Sequence, residues 1–476
     1  MEAWITGIVS WTYFAAVVLA VITALIRKRE PAAALGWSLA IVFLPFFGII
    51  LFILVGWNRF PSRLRRKISH KVGFSGPSLA GDGGGEVAPS EVDRRWGPLA
   101  ELLVGLGEGP RRGGNEVEVI PHGVVAFEEM EDAIRRARHH IHVEFFIFRD
   151  DELGRRATRA LCERAREGVE VRVLVDGVGS RGNKRLLRDL REAGGEGFRF
   201  LPVRLFGKAT PHLRNHRKIV IVDGRLAFFG GLNVGVEYLG RRRHRTRDWF
   251  DLHVKLEGPS VLDLQRMFLE DWDFAAGRHP TGDEYFPSPE PRGSAPAQVI
   301  GGGPDQAVNA VRQAYVAALA RARRSIRIFT PYLVPDQTLC DALLLAARSG
   351  LRVQIITQFP PADHWVVQLC GEHVIGELLP AGVEVHGFTE GMMHAKAVVV
   401  DGEWAMIGSA NLDNRSLWLN FEQMTIFDGP REVRAIDEAF EQLLPRCRAY
   451  TPEYLAARPL RRRLCSTVAR LLAPIL

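Results

Sequence analysis

The side chains best suited to chemistry fall in two stretches of one pattern, His216-Arg217-Lys218-Ile219-Val220-Ile221-Val222-Asp223-Gly224 and His394-Ala395-Lys396-Ala397-Val398-Val399-Val400-Asp401-Gly402. After each aspartate, with six residues intervening, comes a second short motif, Gly230-Gly231-Leu232-Asn233 or Gly408-Ser409-Ala410-Asn411. A single buried histidine is more often a hydrogen-bonded core residue than a catalyst. Two copies carrying the same polar set at the same spacing argue for one site built from both. A phosphodiester explains why two imidazoles would be wanted, because in-line displacement at phosphorus needs a nucleophile on one side and a proton donor to the leaving oxygen on the other. Lys218, Lys396, Asn233 and Asn411 are then the candidates to cradle the non-bridging oxygens, where negative charge grows in the transition state. Such an arrangement calls for no metal and no cofactor. One histidine must be neutral while the other is protonated. Asp251 (in Arg247-Asp248-Trp249-Phe250-Asp251) and Glu422 (in Asn420-Phe421-Glu422) each lie downstream of a motif and are candidates to bond the far nitrogen of a histidine. The candidate catalytic set is therefore His216, Lys218, Asp223, His394, Lys396 and Asp401, with the two aspartates, at turns, assigned a structural job within it.

The apolar run before each Asp-Gly reads as a buried strand ending in a hairpin turn. Residues two apart on a strand face the same way, so each histidine and its lysine point together. Upstream of both motifs the chain repeats itself. Ala133-Ile134-Arg135-Arg136-Ala137-Arg138 and Ile141-His142-Val143-Glu144 have counterparts in Ala318-Leu319-Ala320-Arg321-Ala322-Arg323 and Ile326-Arg327-Ile328-Phe329. Each copy reads helix, buried strand, helix, buried strand, the alternation expected of a mainly parallel sheet covered by helices. The expected fold is α/β, with two duplicated αβα sandwich halves facing each other across a pseudo-twofold axis. A chain of 476 residues suits two such units plus extras. Halves are expected at 96–276 and 299–476, separated by a proline-rich linker at 277–298.

The first sixty residues are of a different kind. From residue 4 to 26 there is no charge, and a second uncharged run from 32 to 58 follows the basic Arg27-Lys28-Arg29-Glu30-Pro31. About 20 apolar residues cross a bilayer, and the start Met1-Glu2-Ala3 lacks the basic region of a cleaved signal. A transmembrane helical hairpin over 1–60 is expected, anchored by Trp4, Trp11 and Trp57, with its second helix kinked or partly re-entrant at Pro45 and Gly48. The loop carries three basic residues, and the segment after the second run carries six (Arg59, Arg63, Arg65, Arg66, Lys67 and Lys71), which puts the body on the cytoplasmic side. Residues 61–95 are expected to be a basic juxtamembrane segment and a flexible tether, the tether being the Gly/Ser/Pro-rich stretch 75–93. The net charge of +7 favours an anionic partner, which charge alone leaves open between nucleic acid and acidic lipid. Five cysteines, odd in number and without a C-x-x-C pair, suggest neither a disulfide framework nor a zinc ribbon.

These motifs resemble the double H-x-K-x4-D signature of the phospholipase D superfamily, and more narrowly the bacterial cardiolipin synthases. The resemblance runs through Arg214-Asn215-His216-Arg217-Lys218, Trp249-Phe250-Asp251, Thr330-Pro331-Tyr332-Leu333-Val334-Pro335-Asp336 and Asn411-Leu412-Asp413-Asn414-Arg415-Ser416-Leu417-Trp418-Leu419-Asn420-Phe421-Glu422. It implies a multi-pass protein of the bacterial inner membrane acting on phosphatidylglycerol, with anionic phospholipids including cardiolipin as partners and no nucleic acid. It implies that His216 attacks a phosphatidyl phosphorus and that His394 protonates the departing glycerol, then deprotonates a second phosphatidylglycerol. Lys218, Lys396, Asn233 and Asn411 would bind phosphate, and Asp251 and Glu422 would orient the histidines. Gly231 departs from the serine common in the superfamily, a lost hydroxyl that removes one possible phosphate donor. The rival readings are a phospholipase D or another phosphatidyltransferase, a nucleic-acid phosphodiesterase, and an inactive lipid-binding scaffold. His212 with His216, and the cluster His139, His140 and His142, have spacings that suit a metal, but the repeated motif explains His216 better and the other three lack cysteine or acidic partners at ligand spacing. The basic run Arg241-Arg242-Arg243-His244-Arg245 reads as a solvated loop. The tail from 460 to 476 alternates arginines with Leu464, Val468, Leu471 and Leu472, a pattern that fits an interfacial amphipathic helix or one packed on the body.

Overall fold

The computed structural model describes residues 2–27, 31–44, 46–53, 91–202, 212–242, 245–246, 248–278, 280, 282–360 and 364–475. Contacts divide the chain into two units, Met1–Arg63 and Leu64–Leu476.

In the first unit the uncharged opening run forms the helix Glu2–Arg27, apolar and long enough over Ser10–Arg27 to cross a membrane. Trp4, Trp11, Phe14, Leu19 and Ile26 are exposed on it. The second run is broken, with helix over Pro31–Phe43 and again over Phe47–Leu51. The 13 residues of Pro31–Phe43 rise about 20 Å, short of the roughly 30 Å hydrocarbon thickness. The break falls where the sequence has Pro45, which supplies no N–H to a helix, and where Phe46 has a φ of 60°. A Cβ on Gly48 would collide with the backbone of Ala40, so glycine there lets the short helix fold back against its predecessor. Ala20, Ala24, Ile41 and Phe52 form a small buried cluster. The basic residues from 59 to 71 and the tether up to residue 90 lie outside the described residues. Glu91, Val92 and Asp93, expected in the tether, open the helix Glu91–Gly105.

The second unit is built on a 16-stranded sheet in which the two halves carry the same strand order. From the middle outward the first half runs Arg112–Ile120, His253–Glu257, Leu226–Gly230, Lys218–Val222, His140–Phe145, Glu170–Asp176, Glu196–Phe200. The second runs Ala295–Gly302, Asn420–Phe427, Trp404–Gly408, Ala397–Val400, Ser325–Phe329, Arg352–Gln358, Glu384–Phe388, with Cys447–Ala449 at its edge. The halves join where Arg112–Ile120 pairs antiparallel with Ala295–Gly302. The repeated helices appear as Gly123–Arg136 and Glu152–Arg166, then Ala310–Arg321 and Gln337–Arg348. The second helix of each pair starts at an aspartate cap, Asp151 accepting from the Gly154 amide and Asp336 from that of Leu339.

The sheet is mixed rather than mainly parallel. Only the three outer strands joined by helical crossovers run parallel in each half. The motif strand and its successor are joined by a tight Asp-Gly turn, and a turn that short can connect only antiparallel neighbours. Asp223 and Gly224 have φ of 53° and 63°, and Asp401 and Gly402 of 57° and 67°, the paired positive values of a hairpin turn that aspartate and glycine tolerate. The Asp223 carboxylate accepts from the amides of Arg138, His139 and His140, and Asp401 accepts from those of Arg323, Arg324 and Ser325. These aspartates thus pin each turn to the loop entering the neighbouring strand. At about 3.3 Å per strand residue, each stands on the order of 20 Å from its motif histidine, which takes both out of the candidate catalytic set.

Two boundaries differ from expectation. The helix Glu91–Gly105 precedes the first half in sequence but packs in the core of the second, where Trp96 stacks on Trp404 at 5.5 Å beside Leu99 and Leu103. Arg95 there forms ion pairs with Asp401 and Glu403. The strand Ala295–Gly302 begins inside the proline-rich stretch, and Tyr285 within that stretch is buried. Of the His139, His140 and His142 cluster, His140 and His142 belong to the interior and His139 is exposed: His142 stacks on Phe268 with ring centroids 4.4 Å apart and shares a hydrogen bond with Gln265. Of the basic run, Arg241–Arg242 and Arg245–Thr246 form a short antiparallel ribbon, and Arg243, His244 and Arg247 lie outside the described residues.

Burial brings His140 and His253 down to about 4, His140 with help from His139. Above the ordinary imidazole value both folded and unfolded chains keep these rings neutral. As pH falls from about 6.5 toward 4 the unfolded chain takes up protons that the folded chain refuses, at about 1.4 kcal/mol per pH unit per ring. The unfolding midpoint is therefore expected to fall between pH 7 and 5. Both ring nitrogens of His253 lack a hydrogen-bond partner among the described residues, so His253→Leu is expected to flatten that slope in thermal scans, and an unchanged slope would remove the assignment.

Candidate active site

The two motif histidines are held by a reciprocal exchange between the halves. The short strand Arg214–Asn215 leads into His216 and pairs with Asn420–Phe421 of the second half, Arg214 opposite Asn420 and Asn215 opposite Phe421. The His216 amide donates to the Phe421 carbonyl at 2.9 Å. In return, Asp248–Phe250 of the first half pairs with Gly391–Met393, and the His394 amide donates to the Phe250 carbonyl at 2.8 Å. Carried one residue further, each register sets a histidine opposite an acid of the other half. His216 Nδ1 lies 3.0 Å from both Glu422 carboxylate oxygens, and His394 Nδ1 lies 2.8 Å from Asp251 Oδ2. An ionised carboxylate only accepts, so each fixes the proton on Nδ1 and leaves Nε2 free for chemistry.

All six of these charged or ionisable groups (His216, Lys218, His394, Lys396, Asp251, Glu422) are buried. Burial brings His216 down to about 4, opposed by the Glu422 carboxylate and reinforced by Lys218 and by Lys396 of the other half. Burial and Lys396 likewise hold His394 below its ordinary value against the pull of Asp251, and Lys218 of the first half adds to the depression. Burial, with Lys396, brings Lys218 down to about 7 in spite of Glu422. Although burial works to raise it, Glu422 is held below the usual carboxylate range by His216, Lys218 and the Ser409 hydroxyl. Each histidine thus feels the lysine of the other motif, as expected of one shared site. The aromatic walls differ: Phe146 stands against His216, with Trp249 and Tyr238 against His394.

The phosphate-binding candidates have partners within the protein. The Lys218 and Lys396 ammoniums each donate to the carbonyl of their own motif histidine, which leaves further protons for a ligand. Asn233 accepts from the Ile147 amide at 3.0 Å and donates to the Tyr238 hydroxyl at 3.1 Å. Asn411 donates to Asp413 at 3.0 Å, and its buried Oδ1 has no partner among the described residues. An unpaired carbonyl oxygen suits a hydroxyl better than a phosphate oxygen. His212 contributes a backbone carbonyl, 3.1 Å from the Arg415 guanidinium.

Several working residues carried weaker sequence signals. Ser409 donates to Glu422 at 2.5 Å, and Asn420 donates to it at 3.1 Å, so the serine of the second glycine motif holds a carboxylate rather than a phosphate. Gly231 stands at the equivalent place in the first half, where an added Cβ would collide with the Asp251 carboxylate. The missing hydroxyl is therefore the space that Asp251 occupies. Arg217, between the motif histidine and lysine, turns inward, pairs with Asp271 and donates to the Glu422 carbonyl at 3.1 Å. Asp176, at the end of a strand, accepts the Asn215 amide at 3.1 Å and pairs with Arg214, which fixes the approach to His216. Only its place at the carboxyl end of a strand beside the motif could have drawn attention to it.

Residues 130–272 and 315–444 match the family described as cardiolipin synthase, PLD-like domain, and residues 15–57 match the one described as phospholipase D-nuclease N-terminal. The chain is 36% identical over 456 residues to a cardiolipin synthase of Geobacillus sp. (strain WCH70), covering 95% of this chain and 90% of that one. It is 36% identical over 474 residues to the major cardiolipin synthase of Bacillus subtilis (strain 168), covering 97% of each. Among solved structures it is similar to the phosphatidylserine synthase of Haemophilus influenzae, with a TM-score of 0.62 and 15% identity over 81% of this chain and all of that one. The likeness to the polyphosphate kinase of Porphyromonas gingivalis has a TM-score of 0.50 and 16% identity, over 75% of this chain and 52% of that one. At these identities the structures speak for the fold alone, whereas the near-full-length relatives and the doubled match settle kinship: the chain belongs to the cardiolipin synthase family of the phospholipase D superfamily.

Proposed function

We propose that the chain transfers a phosphatidyl group from one phosphatidylglycerol to another, giving cardiolipin and glycerol. The observation that carries the reading is the crossed pair of histidine–carboxylate couples, His216 with Glu422 and His394 with Asp251. Neutral His216 attacks phosphorus through Nε2, a P–N bond forms as the P–O bond to glycerol breaks, and His394 gives its Nε2 proton to the departing oxygen. His394 then takes the hydroxyl proton of the second phosphatidylglycerol as that oxygen displaces the histidine. Lys218 and Lys396 balance the charge on the phosphoryl oxygens, with Asn233 and Asn411 beside them. The depressed proton affinities of His216 and His394 suit the empty site, because an arriving phosphate anion favours the charged form of a neighbouring imidazole. That anion raises the proton affinity of His394, which then takes up from solvent the proton it needs as an acid.

The reading takes the halves as related by a pseudo-twofold axis, with the helix Glu91–Gly105 packed in the second half and the strand Ala295–Gly302 belonging to it. It takes residues 1–60 as a transmembrane hairpin in the bacterial inner membrane, and 61–90 as the basic tether to a cytoplasmic body. The apolar, exposed Glu2–Arg27 helix and the three-against-six distribution of basic residues support it. Anionic phospholipid is the partner, and nucleic acid is not.

Purified protein in phosphatidylglycerol vesicles is expected to release glycerol and cardiolipin in equal amounts. His216→Ala and His394→Ala are each expected to lose activity by at least about 10³-fold. Phosphatidic acid without cardiolipin would leave a hydrolase in place of this reading, and full activity in both variants would remove the mechanism. The acid limb of kcat/KM reports protonation of His216 in the free enzyme. It is expected well below the ordinary imidazole range, near pH 4, and Glu422→Gln should move it still lower, because that carboxylate raises the ring. An acid limb near pH 6.5 would contradict the assignment. Gly231→Ser, although it copies the second half, is expected to displace Asp251 and lower kcat about 10- to 100-fold; unaltered turnover would show that Asp251 does not need that space.

A further inference from the structure

The carboxyl-terminal tail forms the helix Leu460–Ala469 and the 3-10 turn Arg470–Ile475, which lie on the helix Trp365–Leu378. One face is fixed to the body. Ala469 is buried against Cys370 and Val334, the Cys370 thiol donates to the Ala469 carbonyl at 2.9 Å, and Arg462 reaches Glu372 at 2.7 Å. The other face carries Leu460, Leu464, Val468, Leu471 and Leu472 at helical spacing, between 44% and 78% exposed. Trp365, at the start of the supporting helix, and Trp418, on the neighbouring helix Asn414–Trp418, are 70% and 47% exposed. Water gives no reason to leave five aliphatic side chains in a row and two tryptophans uncovered.

We infer that this carboxyl-terminal face is a second membrane contact, which seats the mouth of the active site on the head groups of an anionic bilayer. The charge pattern selects the occupant. From residue 459 to 476 there is no acid, and Arg461 and Arg463 flank the apolar row on the exposed side. An apolar stripe bordered by arginine, with tryptophans at its margin, suits a negatively charged interface better than a second copy of a protein that carries the same +7 charge. Position gives the contact a use. Trp418 lies between Asn411 and Glu422 in sequence, its helix is capped by Asp413, and Arg415 of that helix binds the His212 carbonyl beside the loop that enters His216. A bilayer touching Trp365, Trp418 and Leu471 would present lipid phosphates at the site, whatever the amino-terminal helices do. The use, though not the contact, rests on the proposed action on phospholipid.

The full chain is reconstituted into phosphatidylglycerol vesicles with bimane attached at Leu464→Cys, in a background of Cys447→Ser and Cys465→Ser, with Glu441→Cys as a solvent-facing control. Lipids carrying a nitroxide near the head group are expected to quench the Leu464→Cys probe several-fold more than the control. Equal quenching at both positions overturns the proposal, as does a probe shielded equally in lipid-free detergent by a dimer, which would assign the face to a second copy. Catalysis supplies the second arm. Leu464→Glu with Leu471→Glu is expected to raise the KM for vesicular phosphatidylglycerol, in mole fraction, about tenfold, leaving kcat/KM for a monomeric short-chain phosphatidylglycerol unchanged. Equal losses on both substrates, or none on either, count against the proposal. Failure of the unsubstituted protein to turn over either substrate would instead strike the functional reading, and the quenching arm would still stand.

Discussion

Backbone pairing across the two halves governs the site. Two short ribbons, Arg214–Asn215 against Asn420–Phe421 and Asp248–Phe250 against Gly391–Met393, set each motif histidine in register with a carboxylate from the opposite half. Strand register is discrete, and a slip of one residue would turn Glu422 or Asp251 to the other face of its strand. Neither half can complete its own histidine. Separation of the halves would take His216 from Glu422 and His394 from Asp251, and removing one partner of a buried charge is among the most destabilising changes available to a protein. The same contacts that create the chemistry hold the two copies of the fold together.

The copies have not stayed equivalent. Beneath His216 lies a buried polar network in which Asn215 donates to Glu144 and Asp271, while Arg217 pairs with Asp271. Burial, and then Asp271, pushes the Glu144 carboxyl well above its usual range, so it serves as a neutral member. In the second half the corresponding positions are Phe329, Met393 and Ala395, all buried in an apolar cluster. An interior that packs well with three apolar residues does not need four polar ones for stability. The network instead ties His216, through Asn215 and Arg217, to a rigid frame, and Arg217 extends that frame to the Glu422 backbone. The difference fits the unequal roles proposed above, in which the more firmly held imidazole is the one that meets phosphorus.

Much of this was legible in residue spacing. The doubled motif gave the two histidines and lysines, the Asp-Gly pairs gave the hairpins, and the repeat gave two equivalent sets of crossovers. What could not be read was which acid serves which histidine, since Asp251 follows the first motif yet bonds His394, and Glu422 follows the second yet bonds His216. That pairing depends on ribbons of two and three residues too short to have a periodicity. The helix Glu91–Gly105 eludes the sequence for a related reason. Sequence order places it before the first half, whereas the stacking of Trp96 on Trp404 draws it into the second. The sheet is mixed because the helix–strand alternation covers only the outer strands of each half, and the inner ones follow from hairpins.

The proton affinities describe a site that avoids charge until it is loaded. His216 and His394 are held down by burial and by the lysines, and Lys218, at about 7, is itself close to giving up its proton at neutral pH. Glu422, held by Ser409, Asn420 and His216, keeps its charge without help from a ligand. A phosphodiester is a single negative charge that brings no proton of its own. Once among these groups it favours the ammonium forms of both lysines and the imidazolium form of the histidine beside the leaving oxygen. Binding and activation are then one electrostatic event. A neutral lipid would gain little from the same cavity, because nothing in it would stabilise the protons that catalysis needs.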